Sequence, residues 1–297
     1  ATSIEFTGPN AIKITMPSDK DLIQEDKDTS HPLWTGQGYT VTLTTEKGMI
    51  VGLKSEDLTI LQRPTGIYFN GKHIKRVSLP NLIEVGHNFL YYNQALEELE
   101  LPELKTAGNE FLYHNQILKS FKAPKLSTVG GYFLEYNQAL EKLELPELKT
   151  AGNSFLYHNK ILKSFKAPKL SIVEIAFLAG NQDLKELYLP ELQKTGMSFL
   201  FNNQALDELE LPELKTAGNS FLYRNRNLKA FSAPKLTTVG ENFLIKNQAL
   251  AELELPELKT AGNSFLHRNQ ILKAFYAPKL TTVGENFLIN NKDLKEL

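Results

Sequence analysis

The chain has 297 residues, 41% of them hydrophobic, with 33 Lys and Arg against 34 Asp and Glu, a pI near 6.7 and no cysteine. That balance lacks the concentrated basic field that a nucleic acid or an anionic membrane surface needs. The cysteine count excludes disulfides and thiol chemistry while leaving the compartment open, and no run of 18 apolar residues exists to insert into a membrane as a helix.

Residues 1–72 come first and follow no repeat. The chain opens Ala1-Thr2-Ser3 without an initiator methionine, as a mature domain would, so any signal peptide lies out of view. Apolar–polar alternation in Ser3-Ile4-Glu5-Phe6, Ala11-Ile12-Lys13-Ile14 and Tyr39-Thr40-Val41-Thr42-Leu43-Thr44 predicts short β-strands. Ser18–His31 is polar and charged and reads as a loop, and Gly66-Ile67-Tyr68-Phe69-Asn70 echoes the second half of the repeat that follows. The segment is expected to be a small β-rich cap over the first rung, because a solenoid end needs a polar lid. A separate module is the alternative.

From His73 onward one 22-residue pattern recurs ten times, beginning at His73, Ala95, Ile117, Ala139, Ile161, Asp183, Ala205, Asn227, Ala249 and Ile271, with an eleventh cut short at Leu297. A fixed period of that size with leucines at LxxLxL spacing predicts a leucine-rich solenoid. In the unit Ala205–Arg226, Leu206, Leu209 and Leu211 are expected to point inward from a strand pairing in parallel with its neighbours. A proline stands next in all ten units, from Pro80 to Pro278, and ends the strand because it has no N–H for the ladder. Leu214 returns to the core. Nine of ten units then carry a glycine, as at Gly218, which predicts a left-handed or otherwise tight backbone; Glu174 is the exception. Phe-Leu follows in every unit, from Phe89-Leu90 to Phe287-Leu288, and predicts a continuous aromatic spine. An asparagine near each unit's end, from Asn93 to Asn291, is expected to donate to and accept from the backbone of adjacent rungs. The fold class is therefore an α/β-type solenoid, mostly β: ten units forming a parallel sheet on a concave face, with residues 1–72 as cap and 73–297 as solenoid.

The pattern LxxLxLPxLxxxGxxFLxxNxx resembles the BspA-type leucine-rich repeat, through the L-x-L-P step, the following Leu, the Gly and the Phe over residues 73–297. Two features depart from it: the family usually has Cys where this chain has Asn, and a slightly longer step after the Pro. The resemblance implies a secreted or cell-surface protein, bacterial or protozoan, with adhesion to host or matrix proteins as the function.

Units alternate in charge. Between the inward strand positions stand Glu100, Lys122, Glu144, Lys166, Tyr188, Glu210, Ser232, Glu254 and Tyr276, and after the prolines Glu103, Lys125, Glu147, Lys169, Glu191, Glu213, Lys235, Glu257 and Lys279. Opposite charges on neighbouring rungs predict a self-neutralising surface lattice. The alternation breaks between the units at Asp183 and Ala205, both acidic, where Glu186, Glu191, Glu208, Glu210 and Glu213 stack without lysines between them. An out-of-step duplication accounts for this; a functional patch is the sharper alternative. That patch comprises Tyr188, Glu186, Glu208, Glu210 and Lys166, with Tyr276 as a second exposed aromatic on the same face. On the opposite side Tyr91, Tyr113, Tyr157, Phe201, Tyr223 and His267 follow the Phe-Leu pairs and either cover the ends of the core or form a second ridge.

The six histidines, His31, His73, His87, His114, His158 and His267, sit at least one rung apart where their units correspond, and no HExxH, phosphate loop or GxSxG elbow occurs. Catalysis, a metal and a cofactor are not expected. The expected function is binding of a protein or a glycan at an extended sheet, with no nucleic-acid partner and no membrane insertion. A structural spacer is the alternative, with end-to-end association through an uncapped last repeat.

Overall fold

The computed structural model describes the backbone of the strands between residues 3 and 78, and backbone and side chains of residues 83–296 apart from 88, 91 and 93–95. The expected loop at 18–31, Tyr91 and Asn93 lie outside the described residues. The chain forms two compact units, Ala1–Leu140 with Glu144–Pro146, and Glu141–Leu143 with Glu147–Leu297. The described residues contain no helix.

In the first unit the alternating segments form strands β1 (Ser3–Gly8), β2 (Ala11–Met16), β3 (Pro32–Gly36), β4 (Tyr39–Thr45), β5 (Gly48–Ser55), β6 (Leu58–Arg63), β7 (Gly66–Asn70) and β8 (Ile74–Ser78). The echo of a repeat at 66–70 is therefore a strand, paired antiparallel with β6 from Thr59↔Asn70 to Arg63↔Gly66. The two-residue separation from β6 suits a hairpin, which decides this over the turn residues it shares with a rung. β8 bridges two architectures: antiparallel to β5 on one side, parallel to β10 (Glu98–Glu100) on the other. β12 (Ser120–Lys122) continues that sheet, giving the order β1-β2-β4-β5-β8-β10-β12. Beside it β9 (Glu84–Val85), β11 (Thr106–Ala107) and β13 (Thr128–Val129) make a second parallel ladder.

The second unit repeats the rung. Its three-residue strands are β14 (Lys142–Glu144, at the division between units), β16 (Ser164–Lys166), β18 (Glu186–Tyr188), β20 (Glu208–Glu210), β22 (Ala230–Ser232), β24 (Glu252–Glu254) and β26 (Ala274–Tyr276). Its two-residue strands are β15 (Thr150–Ala151), β17 (Ile172–Val173), β19 (Lys194–Thr195), β21 (Thr216–Ala217), β23 (Thr238–Val239), β25 (Thr260–Ala261) and β27 (Thr282–Val283). The second ladder was not legible in the periodicity because two residues carry no measurable alternation. It exists because a small or β-branched inward residue such as Ala217 or Val239, each 2% exposed, fits between stacked rungs while a threonine faces out.

The described rungs turn at their prolines as expected. Leu214 N–H donates to Leu211 O at 3.3 Å, closing a four-residue turn with Pro212 at its second position, where the fixed φ belongs. The glycine has a different role from the expected one. A Cβ on Gly218 would stand 2.6 Å from the carbonyl carbon of Gly196 on the preceding rung, and one on Gly262 would stand 2.7 Å from that of Gly240. Glycine is required here by close approach of successive backbones, not by φ. Left-handed conformations fall two to six residues later and on residues that have side chains: Ser220 (φ 58), Leu222 (φ 55) and Arg224 (φ 63) typify a triplet that recurs along the array. Each such residue costs roughly 1–2 kcal/mol. The cost is offset because alternate residues throw their N–H groups to opposite rungs: Ser220 donates to Glu241 O, Leu222 to Phe199 O and Arg224 to Ile245 O, at 2.8, 3.0 and 3.1 Å. Nothing in residue type announces this, since propensity disfavours it.

The core is the expected one. Leu206, Leu209 and Leu211 are at most 2% exposed. The aromatic spine is continuous within the second unit, with centroid separations of 5.1, 5.5, 5.0, 5.4, 5.3 and 5.5 Å from Phe155 through Phe177, Phe199, Phe221, Phe243 and Phe265 to Phe287. Burial is conferred by the next rung. Val283 and Ile289 on the last rung are 44% and 41% exposed, whereas Val239 and Ile245 at the same positions are 2% and 6%.

The asparagine ladder donates but rarely accepts. Asn225 Nδ2 donates to Leu200 O at 2.8 Å and Asn247 Nδ2 to Leu222 O at 3.0 Å, while their Oδ1 atoms are buried without a partner. Among the described residues only Asn137 completes both roles, its Oδ1 accepting from the N–H groups of Ala139 and Leu140. The position therefore calls for a donor. Asn225→Asp, which sets a carboxylate oxygen against the Leu200 carbonyl, is expected to cost about 2 kcal/mol more than Asn225→Ala at pH 7. Urea denaturation of both variants checks it, and the difference should shrink as acid protonates the new carboxyl.

A candidate binding cleft on the strand face

On the face formed by the three-residue strands, outward side chains alternate with inward ones, so Glu and Lys fall on one exposed surface. Each basic rung pairs with the acidic rung 22 residues before it. In the first unit Lys119, Lys122 and Lys125 meet Glu97, Glu100 and Glu103 at 3.7, 3.9 and 2.6 Å. In the second, Lys163, Lys169, Lys235 and Lys279 meet Glu141, Glu147, Glu213 and Glu257 at 4.0, 2.8, 2.8 and 2.7 Å. The lysines are exposed and the glutamates exposed or half-buried, so solvent screens each pair and the lattice fixes register more than stability.

Backbone pairing follows the same grouping. Within the second unit β16 pairs with β18, β20 with β22 and β24 with β26, whereas β18 and β20 do not pair, nor do β22 and β24. An open cleft lies at each of these two interruptions. The larger, about 640 Å³, is lined by Lys166, Lys185, Glu186, Leu187, Tyr188 and Leu189 on one side and Asp207, Glu208, Glu210 and Pro212 on the other, with Pro190. The smaller, about 470 Å³, lies between Lys229–Pro234 and Ala251–Pro256.

The larger cleft brings together five of the six residues singled out from sequence: Lys166, Glu186, Tyr188, Glu208 and Glu210. Tyr276 lies apart, on β26, where its hydroxyl donates to Glu296, a bond that holds its pKa above the ordinary value. Tyr188 is 53% exposed, the most exposed of the large hydrophobic side chains described. Glu186 and Glu208 bring like charges to neighbouring rungs where a lysine would otherwise intervene, which disfavours pairing at this interruption. The parting has a consequence in the core. Leu187 is only half-buried, whereas the corresponding Leu209, Leu253, Phe165 and Phe275 are at most 3% exposed. Leu187 and its flanking Lys185 and Leu189 were missed in the sequence because the pattern marks Leu187 as an inward residue like any other. The doubled acidic rung was the available signal.

The opposite ridge is half-buried at Tyr113, Tyr157, Phe201, Tyr223 and His267, with Phe201 stacked on Tyr223 at 5.3 Å. Burial lowers the pKa of His267, helped by Arg268 and Lys246, and lowers that of His114. One ridge position departs from the aromatic and aliphatic theme: Glu135 is 7% exposed, its Oε2 has no hydrogen-bond partner, and burial together with Glu110 pushes its pKa up to about 7. Among the described residues, no group of three or more His, Asp or Glu is placed to hold a metal ion, and no helix is long and apolar enough to cross a membrane.

Parallel ladders at a 22-residue spacing, a stacked apolar interior and an outward charged face define a leucine-rich repeat solenoid. The BspA-type leucine-rich repeat region matches the chain over residues 66–179 and 171–295, and the chain belongs to that family. Among solved structures it is similar to a leucine-rich repeat protein from Bacteroides ovatus, at 12% identity and a TM-score of 0.39 over 95% of this chain and 89% of that one. It is similar too to a leucine-rich cell surface protein from Faecalibacterium prausnitzii, at 9% identity and a TM-score of 0.29 over 99% and 92% of the two chains. A third is the pneumococcal vaccine antigen PcpA, at 12% identity and a TM-score of 0.33 over 96% and 85%. Comparison with curated proteins returns no match.

Proposed function

We propose that the protein binds a macromolecular ligand at the cleft between β18 and β20 and performs no catalysis, acting outside the cell or on its surface in an adhesin-like role. The observation that carries this reading is Tyr188: an aromatic side chain 53% exposed beside carboxylates that make no ion pair among the described residues, at the interruption where two acidic rungs meet. Large aromatic side chains anchor interfaces because they bury much apolar area for little lost rotamer freedom. The extracellular setting rests on the family resemblance. Carboxylates on the face stand exposed beside lysines, an environment without the desolvation that acid–base catalysis requires.

The test is saturable binding of the purified chain to immobilised extracellular-matrix proteins and to a glycan array. Tyr188→Ala should weaken a detected interaction at least tenfold, or about 1.4 kcal/mol, with an unchanged melting curve. Unchanged affinity would remove the cleft as the site. The near-identity of the units favours a second reading, a spacer whose repeat number sets its length, since a binding face diversifies its exposed positions. Absence of binding across both panels would support the spacer.

A further inference from the structure

We infer that the cleft takes an extended segment of another polypeptide as an added parallel strand on the free edge of β18, with an aromatic residue over Leu187 and a lysine four positions later at Glu191. This rests on the binding role proposed above and names the chemistry of the partner at the same site.

The free edge is identified by how a parallel ladder works: alternate residues direct both main-chain groups to opposite neighbours. On β20 the set aimed at the next rung is defined. Asp207 O accepts from Lys229 and Ala230 N–H at 2.7 and 3.2 Å, and Leu211 N–H donates to Ser232 O at 2.9 Å. The equivalent residues one rung earlier are Lys185, Leu187 and Leu189, and all three line the cleft. In the first unit the same edge of β10 is occupied by β12, with Ser120 N–H donating to Glu97 O at 3.1 Å and Leu101 N–H to Lys122 O at 2.8 Å. The strand face of β18 thus offers the donors and acceptors that a following strand satisfies on β10, β20 and β24, and the next rung does not take them.

Two side-chain features define what the segment carries. The strand that follows an acidic one places a phenylalanine opposite its central leucine: Phe121 against Leu99, Phe231 against Leu209, Phe275 against Leu253. Leu187 lacks such a neighbour and is the central residue left half-buried. Four residues beyond each phenylalanine a lysine reaches the glutamate after the preceding rung's proline, as in Lys125–Glu103, Lys235–Glu213 and Lys279–Glu257. Glu191 holds that position after β18, is exposed, and makes no ion pair among the described residues. Leu187 and Glu191 are four residues apart across the Pro190 turn, so one segment that runs as a strand and then turns at a proline of its own, as Phe121–Lys125 does, satisfies both. Glu186, Asp207, Glu208 and Glu210 outnumber Lys166 and Lys185 around the cleft and favour a basic segment over an acidic one.

The probe is a blocked, fluorescently labelled hexapeptide with the sequence of Ser120–Lys125, Ser-Phe-Lys-Ala-Pro-Lys, titrated with the full chain and followed by polarisation. Saturable binding is expected, falling at least tenfold when the phenylalanine is replaced by alanine. It should fall as much when the amide of the first lysine is N-methylated, since that N–H lies on the pairing edge. Glu191→Lys, an exposed substitution whose folding is checked by its melting curve, should weaken binding at least fivefold. No saturable binding, equal binding of the methylated peptide, or an indifferent Glu191→Lys would each overturn the inference. The two readings fail separately. A Tyr188-dependent glycan ligand with no peptide binding would leave the binding role standing and remove the added strand, whereas peptide binding without any hit on the matrix or glycan panels would uphold the added strand and remove the adhesin-like role.

Discussion

Phe221→Ala is expected to cost about 3–5 kcal/mol, the upper range for loss of a buried aromatic side chain. Phe221 has no exposed surface, lies 5.0 Å from Phe199 and 5.4 Å from Phe243 in near-parallel stacks, and meets Phe231 at 5.6 Å. Rungs on both sides are tied to it by hydrogen bonds of the adjacent left-handed residues, so the cavity cannot close without straining them. In a solenoid each rung leans only on its neighbours, and the loss should appear as a separate early transition and as faster amide exchange around residues 199–243. A single cooperative melt coincident with wild type would contradict the spine.

Glu135 gives the second large effect, with pH as the variable. Its folded-state pKa is raised from 4.5 to about 7, first by burial and then by Glu110. Below the unfolded value both states are protonated and the group contributes nothing. As pH rises from 4.5 toward 7 the unfolded chain releases the proton while the folded chain retains it, so stability falls, and above 7 the loss levels off at about 3 kcal/mol. Glu135→Gln keeps the shape and removes the charge, and should flatten this dependence and make the variant the more stable protein at pH 8 by about 2–3 kcal/mol. Parallel urea titrations at pH 5 and pH 8 decide it. Equal pH dependence in both proteins would show that Glu135 reaches solvent in the folded state. Its neighbour His114, whose pKa is lowered by the same burial, opposes the trend below neutrality and is common to both proteins.

The larger cleft was half legible. Tyr188, Glu186, Glu208, Glu210 and Lys166 could be chosen from the interrupted charge alternation alone, since neighbouring rungs at a fixed period place such residues side by side. Tyr276 could be chosen on exposure but not on location, because similarity of position within a rung carries no information about which rungs part. Leu187 was hidden for the complementary reason: its residue type announces burial, and only the unpaired edge of β18 removes it.

What the sequence by itself determined is everything that depends on period: the parallel strand at LxLP, the proline turn, the phenylalanine spine and the lysine–glutamate pairing, all of which follow once rung stacks on rung at 22 residues. The tertiary structure alone decided what depends on how closely the rungs approach. It converted the glycine from a conformational residue into a steric one, as at Gly218, and it stabilised left-handed backbone at Ser220, Leu222 and Arg224 through inter-rung hydrogen bonds. It also left β18 and β20 apart. Local propensity sets the cost of each residue's conformation, but bonds between residues a full turn of the solenoid apart determine whether that cost is met.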